Sequence, residues 1–326
     1  MTLTQTVAHS QATLAEATPR LAYRKVNIHG LFKHKHSDPF LRAIAFSPDG
    51  ALLGGAFDRR VIIWRLEKAG EDHSPGGFEE WAPTVVFSLD DNTDEEISFF
   101  SWTNTDFLLI ASTSGDVKIG QFSKGFQVSA HPIKSMALHQ NGALLALAAA
   151  DNELTGWQAN RGGDWEYVSH LRQPDHQRGS CSDGRLGLTH IAWKESEDRV
   201  LVVTHLNHGI FAWDMASMEC RTLLNQDKVL AATLSPDDRY IAIPGRHSTF
   251  QIFDLETKIK ANTLAEPADE KVGLMRTSAC PGQFVHDGQY FLGAGLGKIN
   301  IWNAKHSIRA QRLDLGTPFC MLGLHL

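Results

Sequence analysis

The chain has 326 residues, 42% hydrophobic and 21% charged, enough to bury a large core and ordinary for a globular protein. No apolar run reaches the roughly 18 to 20 residues needed to cross a bilayer as a helix, which excludes a helical membrane span. A formal charge of −6 argues against a general nucleic-acid binder, whose phosphate contacts need a basic surface.

Residues 1–19 are rich in Ser, Thr, Ala and Gln without apolar periodicity and read as a flexible leader, followed by one domain over 20–326. The N-terminus has neither a basic start nor an apolar signal core, and Cys181, Cys220, Cys280 and Cys320 lie far apart with no CxxC pair. Both features point to a reducing, intracellular compartment, cytoplasmic or nuclear. Tyr23 to Leu31 alternates as a lone strand.

The first full unit follows over 41–66: a strand LRAIAF, the turn Ser47-Pro48-Asp49-Gly50, a strand ALLGGA, a turn at Asp58 to Arg60, and the strand VIIWRL. Proline presets the first turn and glycine supplies its permissive end. Five further units lie near 97–122, 132–158, 188–214, 228–254 and 280–303. One register runs through them, an apolar residue three places and a turn residue six places before an aromatic: Asp58, Val61, Trp64; Asp116, Ile119, Phe122; Asp151, Leu154, Trp157; Asn207, Ile210, Trp213; His247, Phe250, Phe253; Leu296, Ile299, Trp302. Between units lies one more short strand, at Val85 to Ser88, Phe126 to Ser129, Trp165 to Ser169, Cys220 to Leu224, Ile259 to Leu264 and Ile308 to Leu313. A repeat of roughly 36 to 56 residues made of four short antiparallel strands predicts a β-propeller, whose blades bury their faces only by stacking. Glu67 to Glu80 and Asn160 to Arg185 read as long surface loops, and the acidic run Asp90 to Glu96 as a solvated blade edge.

These features resemble the WD40-repeat family. They are FSPDG at Phe46 to Gly50, LSPDD at Leu234 to Asp238, the Trp213-Asp214 pair, its near matches Trp64-Arg65, Phe253-Asp254 and Trp302-Asn303, and the six-residue spacing. The resemblance implies an all-β fold, a propeller of four-stranded antiparallel blades with six recognisable units. An incomplete seventh blade is expected from 23–31 and 319–326, around which an imperfect or truncated ring closes.

Units of this family join a His, a Ser or Thr, the turn Asp and the Trp by hydrogen bonds. Here the first unit offers His36, Asp58 and Trp64 but Gly54 in the hydroxyl place; the third offers His131, Asp151 and Trp157 but Leu147; the second has Ser112 and Asp116. No unit is complete, so apolar packing between blades must supply most of the stability. His36 and His131 are read as structural, together with Asn207, Trp213, Asp214 and Trp302.

No constellation supports catalysis: a Gly-rich phosphate loop, GxSxG and HExxH are absent, and the sixteen histidines form no ligand set, so neither metal nor cofactor is expected. The resemblance implies a partner site on the narrow face, around the channel mouth. By register its residues are Phe40, Arg42, Phe57, Arg59, Lys134, Lys228 and Arg246, with Glu96 the acidic exception. A basic, aromatic-edged rim suits an acidic or phosphorylated segment of another protein. The expected function is a non-enzymatic scaffold for other proteins or peptide segments. The alternative, a ligand-binding or enzymatic propeller, needs convergent polar groups one step into the channel, where Arg42, Ser98, Lys134, Thr189, Leu230, Cys280 and Cys320 show no acid–base pair.

Overall fold

Period-two alternation of apolar side chains between short polar turns builds every regular element. The computed structural model describes residues 43–47, 51–67, 80–89, 94–103, 108–119, 124–139, 142–161, 164–171, 187–245, 249–265, 282–295, 298–314 and 324–325. Blade one holds β1 (Ala43–Phe46), β2 (Leu52–Ala56), β3 (Arg60–Glu67) and β4 (Glu80–Ser88); blade two β5 (Ile97–Trp102), β6 (Leu108–Ser112), β7 (Asp116–Ile119) and β8 (Lys124–Gln127). Blade three holds β9 (Ile133–Leu138), β10 (Leu144–Ala149), β11 (Leu154–Ala159) and β12 (Trp165–His170); blade four β13 (Leu188–Trp193), β14 (Val200–His205), β15 (Gly209–Asp214) and β16 (Glu219–Leu224). Blade five holds β17 (Thr233–Leu234), β18 (Tyr240–Pro244), β19 (Phe250–Asp254) and β20 (Lys260–Leu264); blade six β21 (Gly282–Val285), β22 (Tyr290–Gly295), β23 (Lys298–Asn303) and β24 (Ile308–Asp314); β25 (Leu324–His325) follows last. Each blade pairs its four strands antiparallel in sequence order, which gives the expected propeller.

The alternation has a physical cause at each blade interface. In β14, Leu201 and Val203 pack with Ala146, Ala148, Leu154 and Trp213 between blades three and four, while Val200 and Val202 pack with Ile210, Val229, Ile241 and Phe253 between blades four and five. Both faces are therefore buried. The same division explains the six-residue register. Trp157, Trp213, Phe253 and Trp302 each pack against the preceding blade, whereas Val61, Leu154, Ile210 and Phe250 each pack against the following one. Three residues is an odd step along a strand, so the two positions must serve opposite interfaces.

Blade two departs from the expected register. There Ala111 pairs with Val117, as Ala56 pairs with Val61, Ala148 with Leu154 and Thr204 with Ile210. Val117, buried in the core shared with blade three, thus occupies the place expected for Ile119, and Ser114 the place expected for Asp116. A two-residue slip keeps each side chain on its own face, so the pattern alone does not expose it. Phe122 lies outside the described residues.

The C-terminal segment also differs from expectation. Leu324–His325 pairs in parallel with Ile44–Ala45 as a fifth strand of the first sheet, and it also touches β21 of blade six. The edge of β1 offers unpaired backbone groups there, and the strand satisfies them. The rest of the expected seventh blade, 23–31 and 319–323, lies outside the described residues, as do the leader 1–19 and most of the two long loops. Within the second of those connections, Trp165–His170 forms the outer strand of blade three.

Polar turns fix the opposite ends of the strands. Ser47 Oγ accepts the Leu52 amide at 2.8 Å, and Ser235 Oγ accepts that of Tyr240 at 2.8 Å, which accounts for the repeated Ser-Pro-Asp turn. After the third strand, Asp214 Oδ1 accepts the amides of Ala216 and Ser217, Asp254 Oδ1 those of Glu256 and Thr257, and Asn303 Oδ1 those of Lys305 and His306. The second residue of the Trp-Asp pair is therefore a turn cap. Backbone hydrogen bonds hold both aspartates below the usual carboxylate range, from Ala216 and Ser217 for Asp214 and foremost from Thr257 for Asp254.

A pKa lower in the folded chain than in the unfolded one gives stability that is present above the ordinary range and lost as pH falls through the lowered value. The melting temperature should fall as pH drops below about 4. In the Asp214→Asn, Asp254→Asn double variant that fall should shrink while the turns persist, because Asn303 caps with an amide oxygen. An unchanged acid profile in scanning fluorimetry from pH 6 to 3 would exclude these caps as its source.

A candidate partner-binding face

The strand order puts the second-to-third-strand turns and the loops entering each inner strand on one face. Backbone bonds across blades pin that face: the Ile97 amide donates to Asp58 O at 2.7 Å and the Val229 amide to Leu206 O at 2.9 Å. At the mouth, three inner strands carry an extra residue. Ser98 is skipped between Ile97 and Phe99, Lys134 between Ile133 and Ser135, and Thr189 between Leu188 and His190. Such bulges re-aim the side chain they carry. Lys134 is exposed; Thr189 Oγ1 lies 3.0 Å from Val229 O and 3.2 Å from Thr204 O, donating to one of them.

Leu230 of blade five holds the matching place and is 49% exposed. Beside it Lys228 is exposed in the left-handed region, φ 61°, while buried Val229 anchors the loop between them. Blades three to five thus present two lysines and an exposed leucine at the mouth.

Blade two carries an acidic cluster instead, Glu95 and Asp116. Glu95, in the run expected to be simply solvated, accepts bonds from Ser114 Oγ at 2.7 Å and Lys118 Nζ at 3.4 Å. Burial works to raise its pKa, but the hydrogen bonds of Ser112 and Ser114 and the Lys118 ammonium outweigh burial and hold it below the usual range. Ser114 also lies 2.9 Å from Asp116 Oδ2 and 2.7 Å from Ser112 Oγ. In blade three His131 Nδ1 meets Asp151 Oδ2 at 2.9 Å, and Ser129 Oγ approaches the same oxygen at 3.4 Å. Trp157 Nε1 donates to Thr155 Oγ1 at 2.9 Å, so the His–Asp half of the family network forms without the Trp.

Of the seven expected rim residues, Lys134 and Lys228 are exposed, Arg59 is half-buried, and Phe40, Arg42 and Arg246 lie outside the described residues, as does His36. Phe57 corrects the expectation. It is 3% exposed, its ring edge-on to Trp64 with centroids 6.4 Å apart. The turn folds its aromatic ring inward beside the first blade's Trp, out of a partner's reach. Gly54 has a packing reason as well: a Cβ there would come within 2.9 Å of Phe100 and 3.2 Å of Trp102.

Two inter-blade contacts escaped the sequence reading. Trp102 Nε1 donates to Ala45 O at 3.1 Å and Trp193 Nε1 to Ala137 O at 2.9 Å. Both close an inner strand and reach the preceding blade's inner strand; the final Trp of ISFFSW and LTHIAW was their signal. For Leu230 the signal was a break in polarity, an apolar residue where Ser98, Lys134 and Thr189 stand.

Among the described residues no helix is long and apolar enough to cross a membrane, and no group of three or more His, Cys, Asp or Glu is placed to hold a metal ion. Cys220 is a half-buried free thiol, pushed by burial up to about 11. No curated protein matches the chain. A sequence profile of the family described as WD domain, G-beta repeat matches residues 28–65, the stretch that carries the first blade's turn and Trp. Five further four-stranded blades follow it, and the repeat match together with the six-bladed propeller supports a WD40-repeat protein.

Proposed function

We propose that this propeller is a non-catalytic, intracellular scaffold that binds a segment of another protein across the narrow face. The observation that carries the reading is Leu230, half exposed at the channel mouth, with Lys228 beside it and exposed Lys134 at the matching place of blade three. Lysines at the rim of an exposed apolar side chain suit a segment with an acidic or phosphorylated residue beside an apolar one. Arg42, Arg59 and Arg246 would extend the charge by register, as would Phe40 the apolar surface. The acidic cluster of Glu95 and Asp116 at blade two steers such a segment toward blades three to five. Against the enzymatic alternative, Ser98, Lys134, Thr189 and Leu230 form no acid–base pair, and propellers of this family typically act as interaction platforms.

Lys134→Glu with Lys228→Glu should abolish recovery of the partner in affinity purification with mass-spectrometric identification. Both side chains are exposed, so the melting temperature should stay within about 2 °C. Unchanged recovery from a folded double variant would sink the narrow-face reading.

A further inference from the structure

On the opposite face, the turns that lead into the outermost strands of blades five and six carry a second surface. Ile259 is 66% exposed and Ile308 63% exposed. The two are equivalent: each stands five residues after its turn cap, Asp254 or Asn303, where blade four has Glu219 after Asp214. Both backbones are held, Ile259 O accepting the Asp254 amide at 3.0 Å and Ile308 pairing with Asn303. These side chains are fixed in solvent by rigid turns.

Lys258, Lys260 and Lys305 are exposed beside them and Arg312 is exposed four residues further along β24, with Glu256 the exposed acidic residue on these two turns. The surface is continuous across blades. Lys258 Nζ donates to Thr222 O of blade four at 3.2 Å, and Asn262 Nδ2 of blade five donates to Ala304 O and Lys305 O of blade six at 2.9 and 3.2 Å. In a chain of formal charge −6 this is a local reversal of sign.

The outermost strands β20 and β24 each end their sheet, with one edge unpaired by another of the described strands. Lysines and bulges commonly blunt such edges, and that role accounts for Lys260 and Arg312. It does not account for two large exposed isoleucines at matched positions. We propose that this edge is a second docking surface, taking an extended segment of another protein that alternates acidic with apolar residues. Its carboxylates would meet Lys260, Lys305 and Arg312, its apolar side chains would cover Ile259 and Ile308, and its backbone would pair with a strand edge. A bilayer offers no backbone to that edge. With the narrow face engaged separately, one propeller holds two proteins on opposite sides.

The test is fluorescence anisotropy of a fluorescein-labelled peptide of about 14 residues alternating Glu with Leu, compared with the same peptide carrying Gln for Glu. The Glu peptide should bind. Ile259→Glu with Ile308→Glu, and separately Lys260→Glu with Lys305→Glu, should each weaken it about tenfold or more. Every arm is run in a Lys134→Glu, Lys228→Glu background, which removes narrow-face binding of the same peptide and keeps this surface distinct from it. Circular dichroism checks each fold, and the lysine pair decides if the isoleucine pair does not fold. Failure of the Glu peptide to bind, equal binding of the Gln peptide, or binding indifferent to both edge variants overturns the proposal. So does loss, in these variants, of binding to phosphatidylserine vesicles or to a mixed-sequence RNA when the peptide itself does not bind.

Discussion

Trp213→Ala should cost about 3 to 5 kcal/mol of folding stability, read by urea unfolding. Trp213 is 5% exposed and lies among Ala146, Ala148, Leu154, Ile191, Leu201 and Val203. That core is shared by blades three and four, so truncation opens a cavity between blades rather than within one. Small alanines on the facing strand cannot expand to refill it. Amides of β10 and β14 should lose hydrogen-exchange protection together, because the interface is one packed unit. A loss below about 1 kcal/mol would place Trp213 outside the core and break the packing register.

Gly209→Ala should cost about 2 to 4 kcal/mol, from backbone strain and overpacking combined. Gly209 has φ +89°, and a Cβ there would lie 2.2 Å from Leu224 O and 3.0 Å from the Gln226 amide. Both obstacles are backbone, so no rotamer relieves them. The end of β16 and the following loop must move, and that loop carries Lys228 and Leu230. The variant should therefore also lose the narrow-face partner at temperatures where it is still folded. Retention of wild-type stability would mean that the turn has another conformation in solution.

The sequence made the blades legible because each packs by parity. Val61, Leu154, Ile210 and Phe250 face the following blade, and any polar residue at those places would be buried without a partner. Parity does not resolve a slip of two, so the second blade was read from Phe122 instead of from Val117. The segment FCMLGLHL alternates like a strand, yet nothing local in it distinguishes an antiparallel place in a new blade from the parallel place that Leu324–His325 takes beside β1.

The site was less legible than the fold. Phe57 is separated from exposed Arg60 by only two residues, and turn composition does not tell which side chain folds inward. Lys134 and Leu230 were legible as channel positions because they occupy the same inner-strand place. What they bind depends on exposure and on neighbours from other blades, and the linear pattern carries neither. The edge at Ile259 and Ile308 was hidden for a related reason: an apolar residue opening a strand reads as core until the turn before it is seen to hold it in solvent.

Site-directed photocrosslinking tests the central claim, that partners are gathered through the narrow face. A benzophenone amino acid would replace Leu230 at the mouth and, in a separate variant, Ala216, an exposed residue of a turn on the opposite face outside blades five and six. The account predicts a discrete crosslinked partner from the Leu230 position, lost when Lys134→Glu and Lys228→Glu are added, and none from the Ala216 position. Equal crosslinking from both positions, or none from Leu230 in a folded protein, would contradict it.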